Sequence, residues 1–360
     1  MLAFKARVDD PAIASHRYRV LEPIRFLSAR GHAVEVFQQA RSSLYDTVVF
    51  SKAYRGEDQE LASRLRWAGK RVVLDLCDDH FFNPENLPKY QQARKDLLAM
   101  ISLADAVTCS TPVLSRAVKR EAGLAKAPAV APDIYEQAKV SAGEPTPPDQ
   151  PARLLWYGRH GSPNAQAGMG DLSLISKPLL EAYVRRTFEL TVCSDSREAH
   201  DRLLAGFPVP TRYVDWTPQS FATELARTDG VVIPLSNNPF VAAKTHNRLT
   251  LALSAGVPVV ADTIESYEEF EPFCWLGDWK KGLEAVLLTP RAARERASRA
   301  RPYLQAHWSD TAVAPLWEKA LGLKPDAAGS KPAAPAASRR RSLLDVRSWF
   351  GPGESKPAQR

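Results

Sequence analysis

The sequence predicts an α/β protein of two tandem doubly wound domains that face a cleft. Three observations predict it. Short apolar runs alternate with helical patterns over residues 1–135, and the alternation restarts after residue 152. Between them lies Ser141-Ala-Gly-Glu-Pro-Thr-Pro-Pro-Asp-Gln-Pro151, whose four prolines forbid a continuous helix or a central strand. At 360 residues the chain is long enough for two cores. The expected divisions are a domain over 1–140, a linker over 141–152, a second domain over 153–322 and a basic tail over 323–360.

Each element follows from its pattern. In the first part, β-branched and apolar runs predict strands at 2–8, 32–37, 45–50, 71–75 and 106–109. Apolar residues at helical spacing (Val20, Leu21, Ile24 and Leu27, ending at Gly31) predict a helix over 16–29. Similar patterns place helices at 57–68, 88–103 and 112–121. In the second part, strands are expected at 153–157, 189–192, 212–214, 230–234 and 258–261. Helices are expected at 171–184, 196–204, 218–226, 244–254, 283–288, 290–303 and 310–321. Crossovers of this length imply parallel sheets.

Composition narrows the function classes. The net charge of +7 divides unevenly: from residue 325 onward there are seven Lys or Arg against three Asp or Glu, leaving only +3 on the rest. No basic stripe interleaved with aromatics occurs there, so nucleic acid is not an expected partner. Cys77, Cys109, Cys193 and Cys274 are widely spaced and form no Cys-x-x-Cys pair, which suits a reducing compartment. No apolar run of about 18 residues or more exists, so the expected location is the cytoplasm. From its composition the tail is expected to be disordered. Within it, 339–350 combines Arg339, Arg340 and Arg341 with Leu343, Leu344, Val346, Trp349 and Phe350, a pattern suited to weak contact with an anionic membrane surface or a protein, or to no role at all.

Several clusters carry chemistry. Gly158-Arg159-His160-Gly161-Ser162 follows a strand, where glycines let backbone N–H groups approach an anion. Arg159 would pair with a diphosphate and Ser162 would donate to it; the plainer alternative is a tight turn. Neither a Walker loop nor a Gly-x-Gly-x-x-Gly fingerprint is present. Lys244, Asn247 and Arg248 stand three and four residues apart, on one face at the start of the helix expected over 244–254. Cations at a helix start oppose the macrodipole, so a bound anion would complete the arrangement; solvated side chains are the alternative. Glu265 and Glu269 follow the next strand and suit ribose or sugar hydroxyls, or helix capping.

In the first domain, Asp78-Asp79-His80 follows the strand over 71–75, so Asp79 or His80 is the expected acceptor of a hydroxyl proton, with Asp78 beside them. No metal is expected there. Asp9 and Asp10, with Ser15, Arg17 and Arg19, form a second cleft group suited to a charged acceptor or to surface ion pairs.

The order of these motifs resembles nucleotide-sugar glycosyltransferases of the GT-B fold, two Rossmann-like domains, above all the bacterial group that builds cell-surface polysaccharides. The resemblance lies in Ser15-His-Arg17-Tyr-Arg19 with Leu27…Gly31-His32-Ala-Val, in Ala104-Asp105-Ala-Val-Thr-Cys-Ser110, in Trp216-Thr-Pro…Asp229-Gly-Val-Val-Ile-Pro234, and in Lys244…Asn247-Arg248…Ala255-Gly256-Val-Pro-Val-Val-Ala261. It runs over about residues 1–322. It implies a metal-independent glycosyltransferase with no cofactor, whose co-substrate is a nucleotide sugar held by the second domain. The acceptor, a saccharide, glycolipid or protein, would lie mainly on the first. Arg159 and Lys244 would face the donor phosphates, Asn247 and Arg248 would assist, and Glu265 or Glu269 would touch ribose or sugar. Two positions depart from the family pattern: Leu251 and Ala243 stand where many relatives carry a Glu pair. The rival expectations are a nucleotide-sugar epimerase or hydrolase of the same fold, and a non-catalytic nucleotide- or carbohydrate-binding relative.

Overall fold

Strands form where β-branched and aromatic residues run together, and helices carry the chain back between them. The structure, a computed structural model, describes residues 1–11, 13–161 and 165–324. The first sheet contains β1 (Leu2–Ala6), β2 (Val34–Val36), β3 (Thr47–Ser51), β4 (Arg71–Leu76), β5 (Ala106–Cys109) and β6 (Ala129–Val130), in the order β2-β1-β3-β4-β5-β6, every pair parallel. The second contains β7 (Ala152–Tyr157), β8 (Phe188–Ser194), β9 (Thr211–Asp215), β10 (Gly230–Ile233), β11 (Val259–Ala261) and β12 (Trp275–Leu276), in the order β12-β11-β10-β7-β8-β9, again all parallel. Two strands of two residues each, β6 and β12, were too short to leave a periodic signal. The helix expected over 290–303 is two, Pro290–Ser298 and Ala300–Trp308.

Both sheets are covered on both faces, as parallel sheets require. Leu2, Phe4, Val49 and Val73 pack on one side of the first sheet, with Phe26, Leu27 and Trp317. Ala3, Val48, Phe50, Val72 and Leu74 pack on the other, with Leu97 and Met100. The second sheet divides in the same way, Leu154, Trp156, Leu190 and Val192 against Leu172 and Leu179, and Leu155, Val231 and Val259 against Leu249 and Leu253.

Two details differ from the expected divisions. Ala131 and Ile134 belong to the first core, whereas Tyr135, Ala138, Val140 and Ala142 already pack on the second. The chain thus crosses between the halves before the proline-rich segment. That segment is fastened along the second half, through Ala142 N–H to Ala255 O at 2.8 Å, Gly143 N–H to Ala226 O at 2.8 Å, and Thr146 N–H to Asp229 at 2.8 Å. The terminal helix Asp310–Leu321, expected with the second domain, buries Val313, Ala314, Trp317 and Leu321 against the first sheet. Its apolar stripe was legible; which core it would cover was not.

Candidate functional site

Open parallel sheets hold ligands beyond the carboxyl ends of their strands, where strand order reverses. In the second sheet that point lies between β7 and β10. The chain leaves β7 into Gly158-Arg159-His160-Gly161. A Cβ on Gly158 would meet the Trp156 ring at 3.3 Å and the Arg248 guanidinium carbon at 3.5 Å, so a glycine there lets the cation settle against the loop. Gly161 has φ of +128°, and a Cβ there would lie 2.7 Å from Ala167 O. Asp195, after β8, clamps the loop by accepting from His160 N–H at 2.8 Å and from Arg159 Nε at 3.1 Å. Burial raises the Asp195 carboxyl, but the hydrogen bonds from His160 outweigh this and hold it down to about 2. The loop after β10 joins the same group. Asn238 caps the helix Pro239–Ala242 and donates to Ala165 O at 3.2 Å, and Ser236 donates to the buried Asp171. Ser162, expected as a phosphate donor, lies outside the described residues, as does the 339–350 segment.

The Lys244, Asn247 and Arg248 group opens out. The helix begins at Asn247, not at Lys244, so the expected common face does not exist. Asn247 Nδ2 donates to Asp133 Oδ2 at 2.7 Å, and Lys244 reaches across to Asp78 of the first half. Arg248 alone turns to the glycine loop, with its guanidinium carbon 5.4 Å from the Trp156 ring centre and 5.7 Å from that of Tyr157. Its Nε and Nη2 are closed off from solvent and have no hydrogen-bond partner among the described residues, and neither has Trp156 Nε1. Buried N–H groups of a cation without an acceptor are costly.

On the first half, Asp78 is held by two ammonium groups, Lys52 on one carboxylate oxygen and Lys244 on the other. Burial raises its carboxyl, but Lys244 and Lys52 outweigh that and hold it well below the usual carboxylate range. His80 stands behind, with Nδ1 2.9 Å from the Tyr54 hydroxyl and Nε2 3.9 Å from Asp78 Oδ2. Burial, with the charge of Lys52 next, pushes the imidazole down to about 3, so it is neutral. Asp79 does not join them. It is buried, accepts Phe81 N–H at 3.0 Å, has its carboxyl raised by burial, and has Glu121 and Arg120 as its charged neighbours.

The other candidates separate by burial. Arg19 is fully buried, bonded to Asp75 and Asp133 beneath the cleft. Asp9 is exposed and lies 3.3 Å from the His16 ring. Arg17 donates to Pro11 O at 3.1 Å and lies 3.7 Å from Glu136; Asp10 and Ser15 are half-buried. Glu269 accepts from Tyr303 at 2.7 Å and Trp308 at 3.0 Å, which commits it to packing. Glu265 pairs with Arg116 of the first half, beside the bond from Thr111 Oγ1 to Ala243 O at 3.0 Å. Leu251 packs into the second core, so no carboxylate replaces the missing pair on that helix. Among the described residues, no three His, Cys, Asp or Glu side chains gather as metal ligands, and no helix is long and apolar enough to cross a membrane. Lys52 and Arg7 escaped sequence reading because they are single cations after strands, with no motif around them.

His246, one residue before Asn247, packs its ring 4.1 Å from that of Trp308, and burial pushes it down to about 4 from 6.5. The native ring therefore stays neutral where the unfolded one takes up a proton. Its stabilisation is whole above pH 6.5 and declines as pH falls toward 4, by roughly 1.4 kcal/mol per pH unit at the steepest. Urea unfolding at pH 7, 5.5 and 4.5 should show a shallower decline in His246→Phe than in the native chain. Equal slopes would contradict this assignment.

No protein-family model and no curated protein matches the chain. Solved structures share its fold. Anabaena HepE in complex with UDP-glucose aligns with a TM-score of 0.59 and 15% identity, over 90% of this chain and 100% of that one. OtsA in its apo form gives 0.60 and 13%, over 90% and 100%. The lipopolysaccharide outer core galactosyltransferase WaaB, also apo, gives 0.56 and 13%, over 89% and 99%. The architecture is therefore GT-B: two tandem Rossmann-like domains facing each other.

Proposed function

We propose that the protein is a glycosyltransferase that moves a sugar from a nucleotide-sugar donor to a hydroxyl acceptor, in the synthesis of a surface polysaccharide or other glycoconjugate. The observation that carries the reading is the half-buried Arg248 guanidinium at the strand-order reversal of the second sheet, whose Nε and Nη2 are closed off from solvent and unmatched. A donor diphosphate supplies the missing acceptor oxygens, and the Gly158–Gly161 backbone lies alongside. HepE has been seen with UDP-glucose, which puts uridine first among the nucleotides to test.

In this reading the bond from the anomeric carbon to phosphate breaks, and its electron pair stays on the phosphate. Arg248 and Lys244 neutralise the charge that develops there. The acceptor oxygen bonds to the anomeric carbon, and its proton passes to His80. Lys244 is the coupling element. In the ligand-free state it sits on Asp78, where it helps keep His80 unprotonated. Drawn to the donor phosphate, it leaves Asp78 to stabilise the imidazolium. Approach of the two halves then excludes water.

Incubating the full chain with UDP-, GDP- and CMP-sugars, with and without hydroxyl acceptors, tests the reading. Nucleotide release that is slow alone and at least about ten-fold faster with one acceptor class is the expected result, because a bound acceptor presents a positioned hydroxyl. Rapid release into water without acceptor would favour a hydrolase or epimerase. Binding without turnover would favour a non-catalytic relative.

A further inference from the structure

The first sheet has a strand-order reversal of its own. β1 lies between β2 and β3, so the chain leaves β1 and β3 side by side at a crevice of the kind that holds ligands. The residues that follow these strands are Arg7 and Lys52. Arg7 N–H bonds to Ser51 O at 3.1 Å, one step beyond the paired Ala6 and Ser51, which sets Arg7 next to Lys52. Lys52 is held in the left-handed region at φ +54°, which non-glycine residues seldom enter, with its N–H donated to Asp75 O at 2.9 Å. That backbone turn carries its ammonium onto Asp78, opposite Lys244. Lys52 and Lys244 therefore share one carboxylate, and Arg7 lies near enough for its charge to act on Lys52 and on the neutral His80. Arg7 is exposed at the mouth of this group.

We propose that Arg7 and Lys52 form an oxyanion subsite on the first half, so that the acceptor is one that carries a phosphate group near its reactive hydroxyl. The word acceptor rests on the glycosyltransferase reading; the subsite does not. Asp78 fixes Lys52 in place without cancelling the group, because one carboxylate cannot neutralise three cations. The excess positive charge lies beside His80, where it would hold a phosphate-bearing molecule with its hydroxyl toward the ring.

The test is calorimetric titration of the full chain with inorganic phosphate, the second-half pocket first saturated with whichever nucleoside diphosphate binds. If none binds, the unliganded chain is used and Arg248→Gln reports on that pocket. Phosphate should bind, and Lys52→Asn and Arg7→Gln should each weaken it on the order of ten-fold, with nucleotide affinity unchanged. Asn tolerates the left-handed backbone, and if Lys52→Asn still fails to fold, the exposed Arg7→Gln decides. Phosphatidylglycerol vesicles compared with phosphatidylcholine vesicles, on the same variants, separate a lipid-borne phosphate from a soluble one; loss of either binding in the variants supports the subsite. No phosphate binding, or equal affinity in native and variant chains, overturns it and leaves the donor reading intact. Lys52-dependent phosphate binding without any nucleotide binding keeps the subsite and sinks the donor reading.

Discussion

Replacing Arg19 by Met should destabilise the protein by about 3–5 kcal/mol, the cost of stranding buried charges. Arg19 Nε donates to Asp75 at 3.0 Å, Nη1 to Asp133 at 2.8 Å and to Ala131 O at 2.6 Å, and Nη2 to the other oxygen of Asp75. The guanidinium also lies 4.5 Å from the centre of the Trp317 ring. Arg19 and Asp75 are wholly buried and Asp133 nearly so, so removing the cation leaves two carboxylates with no counter-charge. Asp133 also accepts from Asn247 of the second half, at the place where the chain first crosses. Urea unfolding measures the loss. A triple variant that adds Asp75→Asn and Asp133→Asn should regain part of it, because the stranded charges are gone. A single-variant loss below about 1 kcal/mol, the worth of an exposed pair, would contradict the account.

Arg248→Met should act in the opposite sense on stability and strongly on binding. Its unmatched N–H groups cost the ligand-free protein, so the apolar variant should unfold at the same temperature or higher. Nucleoside-diphosphate affinity should fall about 10- to 100-fold, the worth of charge-assisted hydrogen bonds to phosphate. A functional group that destabilises its own fold is the signature expected of a ligand site. A variant that binds nucleotide as well as the native chain, or that unfolds markedly earlier, would make Arg248 a structural residue.

The pattern of strands and helices was legible because burial on both faces of a parallel sheet leaves continuous apolar runs, as in Val231-Val-Ile233 and Val259-Val-Ala261. The crossings were not legible. A proline-rich stretch reads as a linker wherever it lies, and only three-dimensional packing shows it strapped to one half. Spacing identified the residues at the start of the 247–254 helix but not their directions, which depend on partners distant in sequence: Asp78 for Lys244, Asp133 for Asn247, Trp156 for Arg248. Arg19 read as a cleft group because a charged side chain in sequence gives no sign of its burial, and Glu269 read as a ligand contact because its partners Tyr303 and Trp308 lie more than thirty residues away. Lys52 had no sequence signal, since its left-handed backbone and its place beside Arg7 arise from the pairing of β1 with β3.

The central claim is that the second half grips a nucleotide by its phosphates. It is tested most directly by the thermal unfolding of the full chain in paired series of nucleosides and nucleoside diphosphates, uridine against UDP, guanosine against GDP and cytidine against CDP. A ligand present at about 100 times its dissociation constant should stabilise by about 2.7 kcal/mol. The account predicts that one diphosphate raises the unfolding temperature by several degrees while its nucleoside scarcely moves it. Equal shifts from nucleoside and diphosphate, or no shift from any of the six, would contradict it.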